Sequence, residues 1–286
     1  MRAILAWPVL TAQLVIFGTA VFALSLADDA GGERDRLLAS LIGLWRILGL
    51  TAILFSPLLF VKVAAGMAGT DWWGALPFVL QVLRQTHAGA VWKWRLPLVI
   101  LLGVLAWLPF ARARAALLLL FTSAALLLCE SLTSHAIDVG GLTVAIDFVH
   151  QMAAAVWIGA ILGLRLGAIR ARLSDVWVNA TAPWVSRLAE WTVATLIVSG
   201  VYTAYHALMG NPALLIYAAY GRVLLFKLGA ASIVLLMGAY NRFVLIPQLA
   251  ASGARRALLR NVAVESILLL GVIGITALLA NTPPAH

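Results

Sequence analysis

The stretch SHAIDVGGLTVAIDFVHQM, residues 134–152, sets His135, Asp138, Asp147, His150 and Met152 close together in a chain that otherwise avoids polar chemistry. Asp147, His150 and Gln151 stand at i, i+3 and i+4, so they share one face of a helix. A second polar stripe follows at helical spacing: Thr195, Ser199, Tyr202 and His206. Imidazole and thioether together suit soft or borderline transition metals, above all copper, while imidazole with carboxylate also suits zinc. If the two stripes face each other with His135 above them, they build a metal site from His135, His150 and His206. Met67 and Met152 are then its thioether donors. Asp138 and Asp147 stand where they can orient an imidazole. Glu130, one turn before Ser134 and His135, is a ligand or a relay. Cys129 is a strong Cu(I) ligand as a thiolate and inert packing as a buried thiol. The bland readings are a histidine that only bonds a carbonyl at a helix end and a methionine that only fills space.

These residues need elements to hold them, and composition says which. Hydrophobic residues make up 63% of the chain and charged residues 11%, against about 25% charged in a soluble domain. Mean hydropathy is +1.02. The chain therefore reads as a polytopic membrane protein, all-α, forming one membrane domain over residues 1–286. A net charge of +9 would suggest nucleic acid in a soluble protein. Here the basic residues sit between apolar runs, which is the pattern of topology and excludes nucleic-acid binding. The single cysteine excludes an internal disulfide and any CxxC motif.

Eight apolar runs are long enough to span: 4–26, 38–62, 92–110, 113–132, 142–166, 188–208, 217–240 and 257–280. The first is too long for a signal peptide and is read as a helix. Pro109, Gly140-Gly141, Pro183, the GNP at 210–212, Pro247 and the NTPP at 281–284 are the expected breaks, and Pro57 and Pro97 kink or end their spans. Arg34 and Arg36, Arg112 and Arg114, the arginines between 165 and 187, and those between 242 and 260 fall in alternate loops. By the positive-inside rule those loops are cytoplasmic and both termini are periplasmic. The outer loop 63–91, with Lys62, Arg84, Lys93 and Arg95 in or beside it, departs from the rule. It carries DWWGALPFVLQVL, read as a helix lying in the interface with Trp72 and Trp73 at headgroup level. This topology, built without the histidines, puts His87, His135, His150, His206 and His286 all on the outer side.

Ionisable groups inside spans cost at least ~2.5 kcal/mol near the centre and persist only with a partner or a task. Lys227 and Glu265 lie on consecutive antiparallel helices at depths differing by about 9 Å. They form either a water-bridged ion pair or a proton or cation relay. Gly159, Gly163 and Gly167 repeat every fourth residue, which permits close helix approach inside one chain or in a homo-oligomer.

At this point the residues are similar to a known family. SLTSHA at 131–136, DFVHQMAAAVWIGAI at 147–161, WVSRLAEWTVATLIVSGVYTAYH at 184–206, YGRVLLFKLGAASIVLLMGAYNR at 220–242 and LRNVAVESILLLGVIGITALLANTPP at 259–284 resemble the copper resistance D family. VLRQTHAGAVWKWRL at 82–96 resembles an upstream family segment. The resemblance implies a multi-pass protein of the bacterial inner membrane that handles periplasmic copper and moves it toward the cytoplasm. It carries His135 and His150 over as ligands, and matches Lys227, Asn241, Glu265 and Asn281 to recurring positions without a role. The first helix, AWPVLTAQLVIFG, lacks a histidine that family members often have there. A separate periplasmic copper chaperone is then implied as partner.

The function expected is copper transfer across the membrane, not enzymatic catalysis. With no GxxxxGK[ST] motif, transport would be passive or ion-coupled. Two other classes stay open: a b-type haem oxidoreductase with His150 and His206 as axial ligands, and a structural or sensory subunit with incidental histidines.

Overall fold

The computed structural model describes residues 1–26, 32–249 and 253–283. His286 lies outside the described residues. Among them every element is helical. The long helices are α1 (Arg2–Ser25), α2 (Glu33–Ala68), α3 (His87–Leu105), α4 (Arg112–Leu132), α5 (Gly141–Ile169), α6 (Asp175–Ala207), α7 (Ala219–Tyr240) and α8 (Ala254–Leu279). Seven of them, α7 taken through Leu245, are long and apolar enough to cross a membrane. The exception is α6, where eight spans were expected. Its 33 residues have the length, but Arg187, Glu190 and the polar stripe up to His206 dilute its apolar run.

Consecutive helices place the arginine-rich turns at one end, the basic end, and the segments carrying His87, His135 and His206 at the other, the histidine end. At the basic end acidic partners lace the turns: Arg112 to Asp35 at 3.3 Å, Arg255 to Asp175 at 2.9 Å, and Ser174 donating to Glu33 at 2.8 Å. Pro183 does not break the chain as expected. It lies inside α6, where Val178, Ala182 and Val185 are buried in the core and hold the helix through it. Between α2 and α3 the expected interfacial helix is three short pieces, Trp72–Ala75, Leu76–Phe78 and Val79–Gln85. Pro77, which lacks an amide hydrogen, interrupts it. Trp73 is exposed there.

Helix α1 is the centre of the bundle, packed by α2, α4, α5 and α8. Its closest contact is glycine on glycine. A Cβ on Gly159 would lie 2.0 Å from the Gly18 carbonyl carbon, so α1 and α5 touch backbone to backbone. Gly163 takes Phe22 and Gly167 takes Trp177, so the small-residue repeat is consumed inside this chain. Trp45 of α2 donates its indole N–H to Thr19 Oγ1 at 2.9 Å, which satisfies a polar group in a dry interface.

Helix α7 is held differently. Only 11% of its apolar window is buried, against 67% for α1, and it leans on α8 rather than on α6. Its last turn, Asn241–Leu245, is π-helical. Pro247 follows after Ile246 and would crowd the carbonyl four residues back in a regular α-turn.

Candidate metal-handling site

The histidine end of α5 sends side chains in two directions. Gln151 Nε2 donates to Asp147 Oδ2 and to Ser131 Oγ of α4, each at 2.8 Å. Ser134 Oγ reaches the same Asp147 oxygen at 3.5 Å. Asp147 is thus bound into a polar lattice with the end of α4. His150, one turn on, points to α6 instead. Its Nδ1 is 2.8 Å from Ser199 Oγ, and its ring lies over Gly200, where a Cβ would meet Cε1 at 3.4 Å. Nearer the mouth, Thr143 Oγ1 and the Tyr202 hydroxyl are 3.5 Å apart. The polar sides of α5 and α6 therefore meet in one seam. Thr195 does not join it and bonds back to Trp191.

Lys227 of α7 interacts electrostatically with both Asp147 and His150, so three helices share this charge environment. The expected Lys227–Glu265 pair does not form. Glu265 accepts from Asn241 Nδ2 at 3.0 Å, while Lys227 faces the histidine end.

The remaining candidates are dispersed. His135 stands at the entry of a four-residue helix, Ala136–Val139, with its Nδ1 3.8 Å from Asp138 Oδ2; their side chains are 44% and 72% exposed. His206 lies against two rings, Tyr202 at 4.6 Å and Tyr205 edge-on at 5.5 Å. It is seven residues past Ser199, about 10 Å along α6, so His150 and His206 do not face each other across a haem. Met67 is exposed at the end of α2, and Met152 packs against the core. His87 Nε2 donates to the Leu132 carbonyl at 3.0 Å and joins the start of α3 to the end of α4. Among the described residues no three His, Cys, Asp or Glu side chains are gathered as a metal cage.

Glu130 has another occupation. Its Oε2 forms an ion pair with Arg95 of α3, and Arg95 also lies 4.5 Å over the Trp92 ring. Cys129 is buried and free beside that pair. This explains one of the basic residues that broke the positive-inside pattern: Arg95 is buried against a carboxylate. Arg46 is answered in a similar way, by the Ala106 carbonyl at 3.0 Å and the Trp107 ring at 4.8 Å.

Sequence reasoning missed one further polar group. Asn261 donates to Asn241 Oδ1 at 2.6 Å, and Asn241 donates to Glu265. The group borders a cavity of about 250 Å³ between α5, α6, α7 and α8. The signal was present in two asparagines and one glutamate on neighbouring apolar runs.

A bundle of seven membrane-length helices, with a polar seam at one end and arginine-rich turns at the other, defines a multi-pass membrane protein. Comparison with known proteins narrows this. A family description, Copper resistance protein D-like, N-terminal domain, matches residues 1–145, and a second, Copper resistance protein D, matches residues 179–279. The chain belongs to the copper resistance protein D family. It is 26% identical over 258 residues to the Inner membrane protein YebZ of Escherichia coli (strain K12), covering 86% of this chain and 85% of that one. It is 29% identical over 238 residues to the Copper transport protein CutJ of Bacillus subtilis (strain 168), covering 76% of this chain but only 42% of that longer protein. It is 24% identical over 248 residues to Copper resistance protein D of Pseudomonas syringae pv. tomato, covering 83% and 79%. No solved structure matches. The chain is thus a copper-related, multi-pass protein of the bacterial inner membrane.

Proposed function

We propose that the chain carries periplasmic copper across the inner membrane, with the histidine end periplasmic, the basic end cytoplasmic, and both termini outside. The observation that carries this reading is His150, an imidazole set into an apolar bundle and aimed into the α5–α6 seam by Ser199. An aromatic nitrogen donor at that depth suits a borderline or soft ion. His135, with Asp138 beside it, is the outer station, and Met67 and His206 assist around the mouth. Dispersed ligands fit transfer better than storage: a conducted ion must bind well enough to enter and weakly enough to leave. Asp147 and Lys227 set the charge that an entering cation meets. A separate periplasmic copper chaperone delivers the ion, and the chain works as a carrier, not as an enzyme.

The test is copper stoichiometry of the purified protein in detergent, followed by uptake in proteoliposomes. The His135→Ala, His150→Ala double variant is expected to lose bound copper and uptake while staying folded. Copper binding equal to that of the parent protein would overturn the site.

A further inference from the structure

The buried polar group around Glu265 has no part in that outer site, yet it is built like a site of its own. Glu265 is 3% exposed. Its Oε2 accepts from Asn241, which in turn accepts from Asn261. Among the described residues its Oε1 takes no hydrogen bond, and the side chain lines the 250 Å³ cavity, which has room for several waters. The charges bordering this space are few. Arg242 of α7 and Glu190 of α6 pair at 2.7 Å, and Arg242 also donates to Ser186 at 3.3 Å, so that cation is already engaged. From α5 the cavity receives Trp157, Ile161 and Leu164. The one charged residue of α1, Arg2, interacts with Glu130 and Arg95, and Lys227 interacts with Asp147. Among the described residues no cation bonds Glu265.

A buried carboxylate with one donor and no counter-ion is costly, and a buried charge is kept only when it is paired or is exchanged as part of a task. Oxygen and amide donors make a poor copper site. The open oxygen faces a cavity that extends to the Arg242–Glu190 pair at the basic end. Asn241 sits at the first position of the π-helical turn, an irregularity that often marks functional positions.

We infer that Glu265 is a proton-binding site, loaded from water on the basic side through this cavity and positioned by Asn241. One proton adds to the carboxylate to give the neutral acid and leaves by the same cavity; no other bond changes. Resting on the transport reading above, protonation of this site from the basic side regulates transfer from the outer histidine site. The connection is α7, which carries Lys227 toward His150 and Asn241 toward Glu265.

Infrared difference spectra of the full chain in lipid nanodiscs, recorded as pH is raised, read the carbonyl stretch of protonated carboxyl groups. A band lost in Glu265→Gln and kept in Glu190→Gln is expected. Asn241→Ala removes the donor that favours the ionised form, so its band should persist to more alkaline pH. This second variant keeps the test alive if Glu265→Gln does not fold. Identical spectra for the parent and Glu265→Gln, or an unmoved band in Asn241→Ala, overturn the site. Loss of the band on adding sodium but not potassium assigns the site to sodium and overturns the proton. In proteoliposomes an imposed pH gradient should change initial copper uptake by the parent and leave Glu265→Gln unresponsive. If neither takes up copper, the transport reading fails while the infrared result stands on its own.

Discussion

Replacing Glu130 by leucine should damage the fold rather than the metal chemistry. The Arg95 side chain is 3% exposed and that of Glu130 is 24% exposed. The Arg95 Nε already lacks a partner among the described residues. Without the carboxylate, a guanidinium stays buried against Trp92 with its charge uncompensated. Breaking a buried pair from one side costs about 3–5 kcal/mol, whereas replacing both partners by apolar residues is often neutral or better. At roughly 2–4 °C per kcal/mol for a chain of this order, Glu130→Leu should lower the unfolding midpoint by on the order of 10 °C. The double variant Arg95→Met, Glu130→Leu should recover most of it. Tryptophan fluorescence during heating in detergent measures both, and copper per folded molecule should be unchanged in each. A single variant as stable as the parent, or a double variant as unstable as the single one, refutes the reasoning. So would loss of copper in proportion to loss of Glu130, which would make that residue a ligand.

Ser199→Ala removes the bond that aims the His150 ring. At about 0.5–1.5 kcal/mol for such a bond, copper affinity should fall several-fold by titration, and less than in His150→Ala. Gly159→Leu forces α5 off α1, because the nearest atoms are Gly18 backbone and not a side chain that can turn away; the variant should be recovered poorly and be cut readily by protease. Trp45→Phe should cost about 1 kcal/mol of thermal stability, since it leaves Thr19 without its indole donor. Arg242→Gln frees Glu190 at the basic end; because that pair is half-exposed, stability should change by less than about 1 kcal/mol in the same melts.

The helical membrane class was legible because apolar runs and arginine spacing are properties of single segments. Gly159, Gly163 and Gly167 announced close packing, but not that Gly18, Phe22 and Trp177 would receive them, since nothing local in a sequence names a distant partner. Pro183 misled for a related reason: a proline weakens one turn, and burial of Val178 and Val185 on either side outweighs it. In the candidate site, the shared face of Asp147 and Gln151 was readable from spacing. That the polar side of α6 would face α5 was readable too, and His150 meets Ser199 there; that Asp147 would turn to the end of α4 instead was not. Side chains three and four apart fan out by some tens of degrees, and only the positions of α4 and α6 decide what each one meets. The Lys227–Glu265 pairing failed because the depth difference already legible in the sequence was not bridged: Glu265 met Asn241 and Lys227 met the charge of Asp147.

The central place of α1 has a consequence for how the molecule is made. Trp7 donates to the Leu270 carbonyl at 3.0 Å across 263 positions of chain, and Gly18 meets α5. Helix α1 therefore leaves the ribosome before every helix that packs on it, and α5 and α8 reach it only much later. At about 5–20 residues per second, α1 waits roughly 13–50 s in the bilayer before α8 exists. During that interval Gln13, Thr19 and the bare face of Gly18 must be sheltered by lipid, water or the insertion machinery. Assembly is thus a closing of α5 and α8 around α1, and two separately expressed pieces cut between α5 and α6 should find each other through that same face.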